Sequence, residues 1–474
     1  MLLIFLISSI LISAAIYFIR NRFVLMFMSA LFMISISAIG VYSYFNIDKG
    51  DSVYFKFDSI SVILTFIMVI LSIATFYHSR LYISRNDFSK KSISIYYATF
   101  ILLTVSMTMA YFAENLVVMW VSIEASTLLV SILTFHERTK EALEATWKYL
   151  FISSLGIAFT FIGILFLSIT ASSQGITDLS ISNLISISSS MNPLWLKVAF
   201  LLALTGFSAK MNLFPLHTVA VDAKTFAPTP ISAFLSTALI NIGFIGIFRF
   251  FTIISSTEIL HWAQNVLLIA GIASILMAAL QMFRVRNYKR LFAFSSLEHM
   301  GFIAIALGVG GLGYYAAILH LIFHSFVKAS LFYQIEQAHQ FFKSYWIENI
   351  GGYFKLNPVG GLAMILASIS ILAIPPSGLF ISEFLAFKAM FLGGYQYIAI
   401  FVLLLLTVII YKFSKFIFHL LYSEVPRDLK IENVKINPFE SISQFLLLGL
   451  VIYLGIDPPI FFTNLINSAI AALN

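Results

Sequence analysis

The sequence predicts an all-α, polytopic membrane protein of about 14 transmembrane helices, and three observations carry that prediction. Hydrophobic residues make up 60% of the 474-residue chain and charged residues only 10%, with a mean hydropathy of +0.97. A soluble domain carries about 25% charged residues, so this chain cannot clothe a water-facing surface of ordinary size. The apolar residues fall in repeated stretches of about 20, the length that crosses a hydrocarbon core of roughly 30 Å. Short alternating segments of the kind a β-barrel needs are missing.

Taken in order, the apolar runs predict spans at 2–19, 23–45, 57–78, 92–112, 115–135, 146–170, 195–224, 230–252, 260–283, 290–309, 312–336, 360–392, 396–422 and 440–464. The first begins at Met1 without a basic leader or a small-residue cleavage site, so it reads as a membrane helix and not as a cleaved signal. The stretch from Ser172 to Ser190 is rich in Ser and Ile and too polar to span; it predicts an outer loop or short interfacial helix. Runs seven and twelve, 195–224 and 360–392, are too long for single spans and both contain Pro, which predicts broken helices. The glycines of GVGGLG at 308–313 predict a tight turn between two spans. No soluble domain is evident.

The cations alternate from side to side. Arg20 and Arg22 follow the first span, Arg80, Arg85, Lys90 and Lys91 the third, and Arg138 and Lys140 the fifth. Arg284, Arg286, Lys289 and Arg290 follow the ninth, Lys343 and Lys355 the eleventh, and Arg427, Lys430 and Lys435 the thirteenth. The positive-inside rule then places both termini outside. Topology therefore accounts for the net charge of +7 without nucleic acid as a partner. Cys is absent, which removes disulfides, Fe–S ligation and Cys-bound zinc. No P-loop or dinucleotide fingerprint is present, so no nucleotide or redox cofactor is expected on this chain.

Ionisable residues inside the spans carry the functional signal, because each costs several kcal/mol unless it is paired or lines a wet path. Glu124 lies in the middle of span five, Lys148 opens span six, and Lys210 precedes Pro215 in span seven. His320, His324 and Lys328 are spaced i, i+4, i+8 on one face of span eleven. Glu383 follows the Pro375–Gly378 break. The histidine stripe fits a proton relay, a two-His metal site, or hydrogen bonding between packed helices. With no carboxylate on the same turn, no metal is assigned. For Glu124 and Lys210 the alternative to function is a buried pair that fixes packing. Arg249 reads as a snorkelling residue, and Glu298 and His299 as partly solvated groups near an inner end. Paired broken helices suggest two inverted repeats. They divide the chain into 1–91, 92–254 (spans 4–8), 255–422 (spans 9–13) and 423–474.

The segment AKMNLFPLHTVAVDAKTFAPTPISAFLSTAL, from Ala209 to Leu239, resembles the most characteristic stretch of the antiporter-like subunits of respiratory complex I. Related chains are the membrane subunits of group 4 hydrogenases and of multisubunit cation/proton antiporters. KRLFAFSSLEHMGF, HLIFHSFVKASLF and PPSGLFISEFLA are similar to three further family stretches, and the resemblance covers spans three to thirteen. HERTKEALEATWKYLF and SSLEHMGF look most like component F of hydrogenase-4 and formate hydrogenlyase complexes.

The resemblance implies a 14-helix fold with two inverted five-helix repeats, each a proton half-channel. Glu124 matches the fifth-helix glutamate that pairs with the seventh-helix lysine, here Lys210. His217 belongs to the same Phe-Pro-Leu-His motif. His320, His324 and Lys328 match the eleventh-helix stripe, and Glu383 the acidic residue of the twelfth helix. Many relatives carry Lys or His in the eighth helix, where this chain has Ser236 and Asn241, which implies a weaker or water-filled link between the half-channels. The chain's end at Asn474 sets an expectation against the member with a long lateral helix.

The function this implies is a proton-translocating subunit in a cell membrane, working with sibling membrane subunits and a peripheral redox module and not catalytic by itself. A signal from that module would loosen Lys210 from Glu124, and the proton would pass by His320 and His324 toward Lys328 and Glu383. The runner-up is a secondary transporter, either a Na⁺/H⁺ antiporter subunit or the proton-coupled partner of a bicarbonate-uptake protein. A scaffold that has lost transport is a third class, which the cost of so many buried charges argues against.

Overall fold

In the computed structural model, residues 1–425 and 436–473 are described. The chain begins with α1 (Leu2–Ile19), α2 (Arg22–Phe45), α3 (Ser59–Ser84), α4 (Lys90–Phe112), α5 (Leu116–Thr134), α6 (Lys140–Ser172) and α7 (Ile181–Ile187). It continues with α8 (Pro193–Met211), α9 (Thr218–Phe226), α10 (Thr229–Leu235), α11 (Ala238–Ile254), α12 (Leu260–Arg284), α13 (Tyr288–Val309) and α14 (Leu312–Phe342). The remainder is α15 (Tyr353–Leu356), α16 (Pro358–Ile371), α17 (Gly378–Leu392), α18 (Gln396–Tyr422), α19 (Ile442–Ile456) and α20 (Ile460–Ala471). A two-strand hairpin, Gly50–Ser52 with Phe55–Lys56, joins α2 to α3. The fold is polytopic and all-α. Among the described residues, 13 helices are long and apolar enough to cross a membrane, and α16 with α17 supply the remaining predicted span in two pieces.

Helix starts follow local chemistry. Asn21, Asp58, Ser89, Asn115, Thr139 and Asn287 each accept a hydrogen bond from a backbone N–H of the first turn they precede. The two expected breaks are built alike. Asn-Pro opens α8 (Asn192–Pro193) and α16 (Asn357–Pro358), and each helix then yields to a short non-helical stretch, 212–217 or 372–377. Asn212 and Ala373 sit there in the left-handed region, with φ of 61° and 50°.

Several expectations need correction. Span eight is interrupted as well, at Ser236–Thr237 between α10 and α11. No Pro lies at that point, so the apolar run gave no warning. Run 440–464 is two helices, because Pro458–Pro459 ends one and begins the next. Helix α6 starts at Lys140, six residues before the apolar run, on its Thr139 cap. Arg249 does not snorkel. It is buried and forms a forked ion pair with Asp58, which also caps α3, and its guanidinium donates to Ser61 Oγ at 2.8 Å. Arg427, Lys430 and Lys435 lie outside the described residues.

The helices α10–α11, α13 and α14 form the centre of the molecule, with almost every residue buried, while α1, α2 and α18 present apolar side chains outward. Helix α9 packs on α6 and α10 and also on α13, and so joins the two halves of the chain. Its C-terminal end is held by Lys289, whose Nζ donates to the Ala227 carbonyl at 2.5 Å. Small residues set the closest helix contacts: a Cβ on Gly206 of α8 would overlap Thr160 Oγ1 and the Gly156 carbonyl of α6. Gly206→Val is therefore expected to destabilise the protein by about 1–3 kcal/mol through overpacking. Gly449→Ala, inside α19 with nothing within 4 Å of the added methyl, should not lower the melting point in mild detergent and should raise it slightly, since Ala is favoured over Gly in a helix interior by roughly 0.5–1 kcal/mol.

Candidate functional site

Two clusters of buried ionisable groups lie within the helices. In the first, α5, α6 and α8 converge. Lys210 is 1% exposed and donates to Thr127 Oγ1 at 2.7 Å and to Tyr149 OH at 2.9 Å, with its Nζ also 4.9 Å from the Tyr149 ring centre. Glu124 is half-buried and accepts from Ser154 Oγ at 2.7 Å and from Thr127 Oγ1 at 3.2 Å. The expected Glu124–Lys210 pair is thus not a direct ion pair. The Thr127 hydroxyl stands between them, accepting from the ammonium and donating to the carboxylate. The arrangement follows from the α5 sequence, since Glu124 and Thr127 are three residues apart on one helix face.

In the second cluster, α13, α14 and α17 converge. Glu298 Oε2 lies 3.3 Å from His299 Nε2, His299 Nδ1 lies 3.0 Å from His320 Nε2, and His320 Nδ1 lies 3.0 Å from Ser382 Oγ. His299, His320 and Ser382 form a continuous hydrogen-bonded line that ends beside Glu383, and Glu298 stands next to its other end, where His299 Nε2 has no hydrogen-bond partner among the described residues. Lys328 donates to Ser295 Oγ, one turn from Glu298. His324 packs its ring 5.1 Å from that of His299, and its Nε2 has no hydrogen-bond partner among the described residues. Each imidazole in the line has one nitrogen toward each neighbour, and that geometry lets a neutral ring accept a proton on one side and release one on the other.

Two expected residues stand apart. Lys148 is half-exposed near the start of α6 and is paired with Glu144 at 2.5 Å. It belongs to neither cluster, because the buried face of α6 runs through Ala145, Tyr149 and Ser153 and Lys148 lies off it. His217 is buried at the start of α9, with neither ring nitrogen bonded among the described residues. Glu298 and His299 were misplaced by the sequence reading. They are 3% and 1% exposed and sit mid-helix in the second cluster. A Glu-His pair within an apolar run was the available signal.

The structure also supplies a carboxylate to the histidines, from α17 and not from their own turn. His299, His320 and Glu383 each bring a ligand atom within 4.8 Å of the others, a spacing a metal ion would accept. Hydrogen bonds already account for both nitrogens of His320 and for Nδ1 of His299.

The family model for the NADH:quinone oxidoreductase/Mrp antiporter transmembrane region matches residues 113–410, which contain both clusters. The chain is 34% identical over 346 residues to a hydrogenase-4 component F homolog of Methylacidiphilum infernorum, covering 71% of this chain and 73% of that one. It is 28% identical to NADH-quinone oxidoreductase subunit N of Azobacteroides pseudotrichonymphae, covering 81% and 79%. Its fold is similar to a chain of the archaeal membrane-bound sulfane sulfur reductase, with TM-score 0.85, 22% identity and coverage of 99% and 96%. It is also similar to a chain of the Mrp complex from Dietzia, with TM-score 0.83, 16% identity and coverage of 99% and 96%.

If Thr127 is the link that holds the first cluster, Thr127→Val should lower stability by about 1.5–3 kcal/mol, the worth of a hydrogen bond to a charged group. Thr127→Ser should keep it. Thermal unfolding in detergent measures both.

Proposed function

The chain belongs to the NADH:quinone oxidoreductase/Mrp antiporter transmembrane family, and we propose that it translocates protons as one membrane subunit of a larger complex in the cell membrane. The observation that carries this reading is the buried row Glu298–His299–His320–Ser382, whose imidazoles can take up a proton on one side and release one on the other. The relatives are named as components of a hydrogenase and of NADH-quinone oxidoreductases, which supports sibling subunits and a peripheral redox module as partners. The alternation of cations supports both termini outside.

In this reading, Glu124 is the carboxylate that faces Lys210 across Thr127. A movement of α5 that draws Glu124 away leaves the ammonium among neutral hydroxyls in a dry site. There the charged form is disfavoured, and Lys210 gives up its proton. On the other side, Lys328, bonded to Ser295 one turn from Glu298, delivers toward that carboxylate. The proton then passes to His299 and His320 and leaves by Ser382 and Glu383. The two five-helix repeats, spans 4–8 and 9–13, would be the half-channels, with α8/α9 and α16/α17 as their broken helices. The family description also names the Mrp antiporter, which supports a second reading, in which proton flow drives sodium in the opposite direction.

The test is to purify the tagged chain with its associated subunits, reconstitute it in vesicles containing a pH-sensitive dye, and impose a potassium diffusion potential. Glu124→Gln should slow proton flux on the order of 10²-fold, the scale of a positioned proton-transfer group, while the same subunits copurify. Wild-type flux in Glu124→Gln would sink the assignment. Sodium flux that rises and falls with the proton flux would favour the antiport reading.

A further inference from the structure

Helix α14 repeats a polar residue at nearly every fourth position. His320, His324 and Lys328 begin the series, which continues through Phe332 to Glu336 and Gln340. Residues four apart lie on one helix face, so Glu336 stands two turns, about 12 Å, from Lys328 on that face. The second cluster takes the first three of these residues and leaves Glu336 unused. Glu336 is 3% exposed. Its side chain accepts from Gln340 Nε2 at 2.8 Å through Oε1, and Gln340 Oε1 accepts from Lys343 Nζ at 3.3 Å. Oε2 has no hydrogen-bond partner, and Glu336 forms no ion pair among the described residues.

A buried carboxylate with a bare oxygen and no counter-charge is costly as the anion. Packing does not call for an acid here, because a glutamine would meet Gln340 equally well without that cost. The surroundings of Glu336 do give an acid a use. The ionisable groups within electrostatic reach of it are the phenols of Tyr82, Tyr96, Tyr288 and Tyr345 and one cation, Lys289. Tyr82 is itself bonded to Glu137 at 2.7 Å, and His339 and Lys343 follow Glu336 on its own helix, the ring of His339 stacked 4.0 Å from that of Tyr345. Lys289, Tyr345 and Glu137 also line a cavity of about 730 Å³ at the end of the molecule where Arg284, Arg286 and Arg290 gather, a volume that admits many waters. Phe332, the residue between Glu336 and Lys328 in the series, is fully buried with its ring 6.4 Å from that of Phe292.

We infer that Glu336 is the proton-loading residue of the second cluster, taking protons from water in this cavity and handing them along α14 to Lys328, with the Phe332 ring as the apolar barrier between the two. This role rests on the proton-translocation reading. In the step it describes, the Glu336 carboxylate takes a proton from a water of the cavity and becomes the neutral acid, which the buried site favours. Once Lys328 has given its own proton toward Glu298, the Phe332 ring swings aside. A water then takes the Glu336 proton and passes one to the neutral Lys328 amine. Only O–H and N–H bonds are made or broken, and no redox partner is needed.

Two substitutions separate a proton carrier from a packing residue. Gln keeps the shape and the bond to Gln340 but cannot titrate, and Asp keeps a titratable carboxyl. In the vesicle assay, Glu336→Gln is expected to slow proton flux about tenfold or more while the same subunits copurify. Glu336→Asp should keep most of the flux, with a pH profile displaced from that of wild type. The infrared difference spectrum of the wild-type complex between acid and alkaline buffer should carry a carboxyl C=O band that Glu336→Gln lacks, a signal that a carboxylate serving only packing would not give. Full flux in Glu336→Gln would overturn the inference, and so would the same infrared band in both proteins, because Glu336 would then not change its state. Glu124→Gln runs beside them. If it blocks flux while Glu336→Gln does not, this inference alone fails. If both leave flux unchanged, the reading of the whole chain fails as well.

Discussion

The cost of holding ionisable groups away from water is the constraint on which this structure turns. Lys210, Lys224, Lys328, Arg249, Glu298 and three histidines are all buried within a chain whose outer helices face lipid. Most of them meet polar partners, and the helices that carry them are placed to allow that, while Lys224 Nζ and His324 Nε2 have none among the described residues. Arg249 meets Asp58 in a fork that also caps α3. Lys210 meets two hydroxyls, and His320 meets a partner at each nitrogen. The most apolar contacts, such as the glycine crossing of α6 and α8, bring backbones close enough for these side chains to reach across.

The buried charges are of two kinds. Asp58 and Arg249 neutralise one another directly, and that pair serves packing and a helix cap. The lysines of the two clusters lean on neutral hydroxyls instead: Thr127 and Tyr149 for Lys210, Ser295 for Lys328. A hydroxyl satisfies an ammonium geometrically without fixing its charge, because it can donate or accept as the lysine changes state. Such a contact leaves the protonation state responsive to a carboxylate one step further away. The interposed Thr127 thus takes the place of the direct ion pair the sequence suggested.

The breaks in α8/α9, α10/α11 and α16/α17 serve the same end. Non-helical backbone at membrane depth is sustained only inside protein or beside a wet path. Here the breaks bring Ser382 to His320 and turn α9 across the boundary between the two halves. Two of the three were legible, because proline marks them. The third, at Ser236–Thr237, has no breaker residue. The surroundings of α10 decide it, and a sequence window does not see those surroundings.

By itself the sequence determined the class of the protein, the number and order of its spans, the two proline breaks and most of the buried charges. These follow from local composition: a span is a run of apolar residues, and a charge inside one is conspicuous. Which charges meet was decided only in the tertiary structure. The Thr127 bridge and the Glu298–His299–His320–Ser382 row each join residues on different helices. Hydrogen bonding acts over about 3 Å, and only packing brings residues far apart in the chain that close. The same distance rule separated Lys148 from the cluster it was expected to join, because its place in the α6 period turns it away from the buried face and toward Glu144.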